Sequence, residues 1–236
     1  MTTTATSTFN LNLNELIEEA FERAGKELRT GYDFRTARRS LNLMFADWAN
    51  RGINLWTVEQ GIQNLTAGVA TYDLPVDTVD LIEHVIRTNP GTPTQADIAI
   101  SRISVSTYAS LPNKSVQGRP IQIYINRQSG ATEPSGVQYP QFTLWPIPNT
   151  SSTYQLVYWR LRRMLDAGNG VNTQDIPFRF LPCMVAGLAY YIAMKIPDAT
   201  ERLPMLKQMY DEAWQLAADE DREKANLRLV PRQMFP

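Results

Sequence analysis

The chain of 236 residues has a single cysteine, Cys183, and a single histidine, His84. One cysteine cannot close an internal disulfide or supply a multi-cysteine zinc site. One imidazole leaves no second histidine for a metal cluster, and no other imidazole for a catalytic triad or Cys-His pair. Net charge is nearly absent too, since 23 Lys+Arg against 24 Asp+Glu leave −1. A protein whose main task is wrapping nucleic acid carries a clear positive excess. The longest uncharged apolar run, Phe180–Met194, falls short of the roughly 20 residues a bilayer requires and reads as a buried helix. Met1–Asn10 is Thr/Ser-rich, without the basic and apolar regions of a secretory signal, and reads as a flexible arm. Low cysteine use fits a reducing compartment.

What is present is a clear plan. From Asn14 to Lys26 the apolar residues Leu16, Ile17, Ala20, Phe21 and Ala24 recur at helical spacing. Asn12 and Glu15 have the spacing of a capping box. A second stripe, Phe34, Ala37, Leu41, Met44, Phe45 and Trp48, predicts a helix over Asp33–Asn50 that Arg51-Gly52 stops. From Ile53 to Leu165 β-branched and aromatic residues alternate with Pro, Gly and Asn. This predicts strands at Leu55–Gln63, Leu81–Thr88, Gln95–Ile103, Pro120–Arg127, Gln141–Pro146 and Thr153–Arg163, with a short helix at Ser104–Leu111. Asp175 with Ile176-Pro177 predicts the start of a third helix, apolar all round and therefore buried. Asp198 and Glu201 give a second capping-box spacing, predicting a final helix from Ala199 to about Asn226.

The expected fold class is therefore α+β. A four-helix bundle, from residues 12–52 and 175–226, carries an antiparallel sheet or small sandwich inserted at 53–174. Residues 1–11 form the N-terminal arm and 227–236 an extended C-terminal tail.

The screen for chemistry returns little. There is no Walker loop and no Gly-x-Gly-x-x-Gly. His84 lies in a predicted strand without a partner motif, and Cys183 in an apolar helix, where a thiol packs as a small hydrophobe. Asp73, Asp77, Asp80 and Glu83 form an acidic cluster. Paired carboxylates can hydrolyse glycosides, but Asp in a loop more commonly bonds its own backbone. No catalytic, metal-ligating or cofactor-binding set is expected. A cell-wall-degrading hydrolase and a DNA-binding tail module remain as alternatives.

Charge is segregated. Between Ile103 and Leu165 the basic residues are Lys114, Arg119, Arg127, Arg160, Arg162 and Arg163, against Glu133 alone. The first 27 residues carry Glu15, Glu18, Glu19, Glu22 and Glu27 against Arg23 and Lys26. This is either ordinary surface variation or a complementary pair of surfaces between copies of the chain. A surface beside DNA is a further reading. Arg160 and Arg162 share one strand face and Arg163 points oppositely, which favours a protein interface or solvation over phosphate binding. The tail alternates basic residues with Leu229, Val230, Pro231, Met234 and Phe235. It is disordered, docks on its own chain, or inserts into a partner's groove.

Several segments come in a familiar order: Trp48-Ala-Asn-Arg-Gly-Ile-Asn-Leu-Trp56; Leu65-x-x-Gly68-x-x-x-Tyr72-x-Leu74-Pro75-x-Asp77; and Arg102-Ile-Ser104-x-x-x-Tyr108-x-x-Leu111-Pro-Asn-Lys114-x-x-x-Gly118-Arg-Pro120. Tyr124 and Arg127 follow, then Leu144-Trp-Pro146-x-Pro148, Asp175-x-Pro177 and Lys195-x-Pro197. Over roughly residues 12–226 this set resembles the head-to-tail adaptor family of short-tailed bacteriophages, also called tail tubular protein A or tail accessory factor. The resemblance implies a virion structural protein rather than an enzyme. It implies a ring, usually of twelve copies, beneath the portal at the capsid vertex, assembled in the host cytoplasm. Such a ring extends the DNA channel without reading sequence and presents a platform for the tail nozzle and fibres. Under that reading Leu229, Val230, Pro231, Met234 and Phe235 dock on the portal. The basic residues Lys114, Arg119, Arg127, Arg160, Arg162 and Arg163 meet neighbouring copies or the nozzle, with the loops Asn113–Gly118 and Ser129–Gly136.

Overall fold

A computed structural model describes residues 5–29, 31–52, 55–127, 132–133 and 136–222. Among them are five α-helices: α1 (Leu13–Ala24), α2 (Gly31–Asn50), α3 (Val105–Ala109), α4 (Leu181–Ala193) and α5 (Leu203–Glu220). The strands are β1 (Val58–Asn64), β2 (Thr71–Asp73), β3 (Thr78–Thr88), β4 (Ala96–Ala99), β5 (Ser101–Ile103), β6 (Gln117–Gly118), β7 (Gln122–Asn126), β8 (Thr132–Glu133), β9 (Gly136–Val137), β10 (Gln141–Trp145), β11 (Ile147–Pro148) and β12 (Tyr154–Arg162). The fold is mixed α+β. The chain divides into two compact units, one of Met1–Leu55 with Leu165–Pro236, the other of Trp56–Met164.

In the first unit α1, α2 and α5 each pack on α4. α1 starts where its capping box closes. The Asn12 side chain accepts from the Glu15 N–H at 3.0 Å, and the Glu15 carboxylate accepts from the Asn12 N–H at 2.9 Å. It ends at Gly25, whose φ of 83° is left-handed. Its stripe, Leu13, Leu16, Ile17, Ala20, Phe21 and Ala24, is buried. α4 is apolar on nearly every face and permits close approach at Gly187. A Cβ there would lie 2.5 Å from Met44 Sδ of α2 and 2.7 Å from the Tyr210 ring of α5. Between α2 and α5, Trp48 Nε1 donates to the Tyr210 hydroxyl at 2.7 Å. Phe180 and Trp214 close an aromatic cluster around Trp48.

Two predicted helix starts are wrong for one reason. α4 begins at Leu181, after a 3-10 turn at Phe178–Phe180, not at Asp175. α5 begins at Leu203, after a 3-10 stretch at Pro197–Arg202, and no side chain caps its start. A proline inside a helix loses an N–H and clashes with the carbonyl four residues back, but it is tolerated in the first turn. Pro182 and Pro204 therefore set the starts. Asp175 instead accepts from the Leu165 N–H at 3.1 Å. α5 ends at Glu220, short of the predicted Asn226.

In the second unit one sheet has the order β1-β12-β3-β4 and another β2-β10-β7-β5. Both contribute to one core, in which Leu81, Ile86, Leu156 and Tyr158 meet Ile123, Ile125, Phe142 and Leu144. The sheets are not wholly antiparallel as expected, because β5 pairs with β7 and β6 with β11 in parallel. The predicted strand at 95–103 is two strands. Its first half pairs with β3 and its second with β7, so the chain changes sheet at Ile100. β2 escaped the sequence reading. It pairs with β10, where Tyr72 stacks on Phe142 with ring centroids 5.2 Å apart. The Tyr72 hydroxyl also accepts from the Thr66 N–H at 2.9 Å, pinning the turn that holds Gly68 at φ 78°.

Candidate assembly surfaces

The basic stretch at the end of β12 is not a free positive stripe. Glu59 on β1 lies directly opposite Arg160 in the ladder. Arg160 donates to Glu59 at 2.8 Å and to Asp77 at 2.6 Å, and its side chain is only 12% exposed. Arg162 donates to the other Glu59 oxygen at 2.6 Å. The shared carboxylate places Arg160 and Arg162 on one face. Arg163 lies beyond the strand end and is exposed, its N–H donating to the Asp77 carbonyl.

The acidic cluster is committed in the same way. Partial burial acts to raise the Asp77 carboxyl, but the Arg160 hydrogen bond and charge, with Arg162 beyond, outweigh it and hold Asp77 below its ordinary range. A general acid needs the opposite shift. Asp80 meets Arg102 at 3.0 Å and Arg127 at 3.5 Å, while Asp73 accepts from Gln141 at 2.8 Å. Asp77 and Asp80 thus belong to ion pairs, and Asp73 to a hydrogen bond with an amide.

The other basic residues divide similarly. Lys114 Nζ donates to the carbonyls of Ala109 and Leu111, both at 3.1 Å, capping the end of α3. It also lies over the Tyr108 ring, which stacks on Tyr124. Arg127 Nε donates to the Val79 carbonyl at 3.1 Å. Arg119 is exposed. The loop at 113–118 is braced by Trp145, whose indole N–H donates to the Asn113 carbonyl at 3.0 Å. Much of the loop at 129–136 lies outside the described residues, as do Leu229, Val230, Pro231, Met234 and Phe235.

His84 faces Tyr158 across β3 and β12. Burial is the main cause that pushes its imidazole below the ordinary histidine range. Burial likewise pushes the Cys183 thiol up to about 12, which leaves it unreactive. Among the described residues no three His, Cys, Asp or Glu gather as a metal site. No helix there is long and apolar enough to cross a membrane.

One feature escaped sequence reasoning. A groove of about 540 Å³ runs between the N-terminal arm, α1 and α4. Phe9, Leu11, Leu181, Pro182 and Val185 supply its apolar lining, and Glu15, Glu18, Glu19 and Glu22, with Arg23 among them, its mainly acidic rim. The signal was the i, i+3, i+4, i+7 spacing of those glutamates, which marks one exposed helix face. The apolar wall beside it comes from α4, far away in sequence.

The described residues offer a partner ion-paired strands, a braced loop and an apolar groove, which are surfaces of the kind an adaptor uses. The profile of the SU10 adaptor protein family matches residues 11–232, and the chain belongs to that family. It is thus a structural adaptor of a bacteriophage virion, consistent with a place between head and tail. No curated protein matches the chain.

Proposed function

We propose that this adaptor forms a closed ring of twelve copies beneath the portal. The ring extends the DNA channel, gives the tail nozzle and fibres their platform, and takes part in genome ejection. The observation that carries this reading is the family match over nearly the whole chain. The helices of the first unit act as a four-helix bundle carrying the tail, and residues 227–236 dock on the portal through Leu229, Val230, Pro231, Met234 and Phe235. Assembly takes place in the host cytoplasm. DNA passes through the ring without sequence-specific contact.

A closed ring needs a heterologous interface, in which one surface meets a different surface of the next copy. The acidic outer face of α1 and the basic face of the second unit are complementary in sign. Of the six basic residues, Lys114, Arg119, Arg127 and Arg163 are exposed, and Arg160 and Arg162 are held by Glu59 and Asp77. The test is negative-stain microscopy of the chain mixed with its portal protein. A ring seated on the portal is expected. A chain that stays monomeric beside an unaltered portal would overturn the reading.

A further inference from the structure

The groove between α1 and α4 combines an apolar floor with unneutralised negative charge. Leu181 and Val185 form the floor, and Phe9, 76% exposed, overhangs it. Of the four rim glutamates, Glu19 pairs with Arg23 at 2.7 Å, and Glu15 is engaged with the Asn12 N–H. Glu18 and Glu22 are exposed and make no ion pair among the described residues. The groove thus calls for an occupant that is apolar, positively charged and long enough to lie along a helix.

The chain carries such a segment. Residues 227–236 read Leu-Arg-Leu-Val-Pro-Arg-Gln-Met-Phe-Pro, with two arginines, no acidic side chain and six apolar residues besides its first leucine when both prolines are counted. The end of α5 is fixed close to the groove. Asp221, just past α5, is ion-paired with Arg179, two residues ahead of Leu181 in the groove floor. From Arg222, the four residues 223–226 span at most about 13 Å when extended. That reach is comparable with the breadth of one helix with its side chains, about 10–12 Å. Two prolines disfavour helix and suit an extended ligand.

We propose that the groove holds residues 227–236 of its own chain in the free subunit. Arg228 and Arg232 meet Glu18 and Glu22, and the apolar side chains cover Phe9, Leu181 and Val185. Tethering gives the segment an effective concentration in the millimolar range, so modest intrinsic affinity is enough to keep it docked. The inference concerns the subunit before any assembly and does not rest on the ring. Where the ring also forms, the docked tail covers part of the acidic face of α1, and its departure uncovers that face.

The test is hydrogen–deuterium exchange on the full chain alone, at two concentrations a hundredfold apart. Amides of residues 227–236 are expected to exchange at least tenfold slower than in Glu18→Lys/Glu22→Lys or in Arg228→Glu/Arg232→Glu, and equally at both concentrations. Combining the two charge reversals in one chain is expected to restore protection, which separates pairing from misfolding. Unprotected tail amides in the wild type overturn the proposal. So does protection that either reversal leaves unchanged, or that the combined chain fails to regain. Protection that rises with concentration overturns it in favour of a second copy's tail.

Discussion

Arg160 and Glu59 occupy directly opposed positions of β12 and β1, and the guanidinium reaches the carboxylate at 2.8 Å. The same carboxylate also accepts from Arg162, and Arg160 also donates to Asp77. Two cations and two anions from three segments thus close one corner of the second unit. A block that reads as strongly basic along the chain is locally balanced in space. Charge available to a partner therefore cannot be counted from sequence. It is what remains after such pairs are removed.

Substitution should separate the two kinds of arginine. Arg160→Glu would set three carboxylates against one another with Arg162 as their nearest cation. A loss of about 1–2 kcal/mol is expected, because charged hydrogen bonds are lost and a third carboxylate meets two that are only partly exposed to water. Arg119→Glu and Arg163→Glu should each change stability by no more than about 0.5 kcal/mol, as exposed residues do. They should weaken ring formation on a portal if they face a neighbour. Urea unfolding followed by tryptophan fluorescence measures the first pair of effects, and microscopy the second.

The same corner carries a pH dependence with a definite sign. The Asp77 carboxyl titrates lower in the folded protein than its ordinary value. A depressed folded pKa means that the unfolded chain binds the proton more readily. The contribution to stability is then fully present above the unfolded pKa of about 4, and is lost as pH falls through the folded value. Asp77→Asn should be less stable than wild type at pH 7 and should lose less between pH 5 and pH 2. Equal acid slopes in urea midpoints for the two proteins would sink the assignment.

Close packing at Gly187 makes a third prediction. Gly187→Ala introduces a Cβ within 2.5 Å of Met44 Sδ and 2.7 Å of the Tyr210 ring. The helix-propensity gain of alanine, about 1 kcal/mol, opposes the strain. Overpacking of about 1–3 kcal/mol should win, because the Tyr210 ring is held by its bond to Trp48. Thermal unfolding should show a lower midpoint for Gly187→Ala than for wild type. An unchanged or raised midpoint would show that the strain does not exceed the propensity gain.

Local signals were legible and distant ones were not. The stripes of α1 and α2, the Asn12 cap and the alternation of β7 follow from residues within a few positions of each other. The partner of a strand does not. Nothing between Gln95 and Ile103 shows that its halves join different sheets, because the choice is made by β3 and β7. β2 was too short for a pattern to form. The groove was half legible, since its glutamates mark a helix face but its floor comes from α4. The pairing of Arg160 with Glu59 spans about a hundred residues and has no local signature.

The two capping-box spacings show where local reading stops. Asn12-x-x-Glu15 closes in both directions, with bonds of 3.0 and 2.9 Å. Asp198-x-x-Glu201 has the same spacing, yet lies in a 3-10 stretch and caps nothing, because Pro204 forbids an α-helix running through it. Asn12→Ala should therefore cost about 1 kcal/mol, the usual worth of a helix cap. Asp198→Ala and Glu201→Ala should each stay within about 0.5 kcal/mol of wild type. Pro204→Ala removes the obstacle, so it should let the helix extend backward and make Asp198→Ala costly in that background. Urea midpoints across this double-mutant cycle give the coupling directly. No coupling between positions 198 and 204 would mean that something other than the proline sets the start of α5.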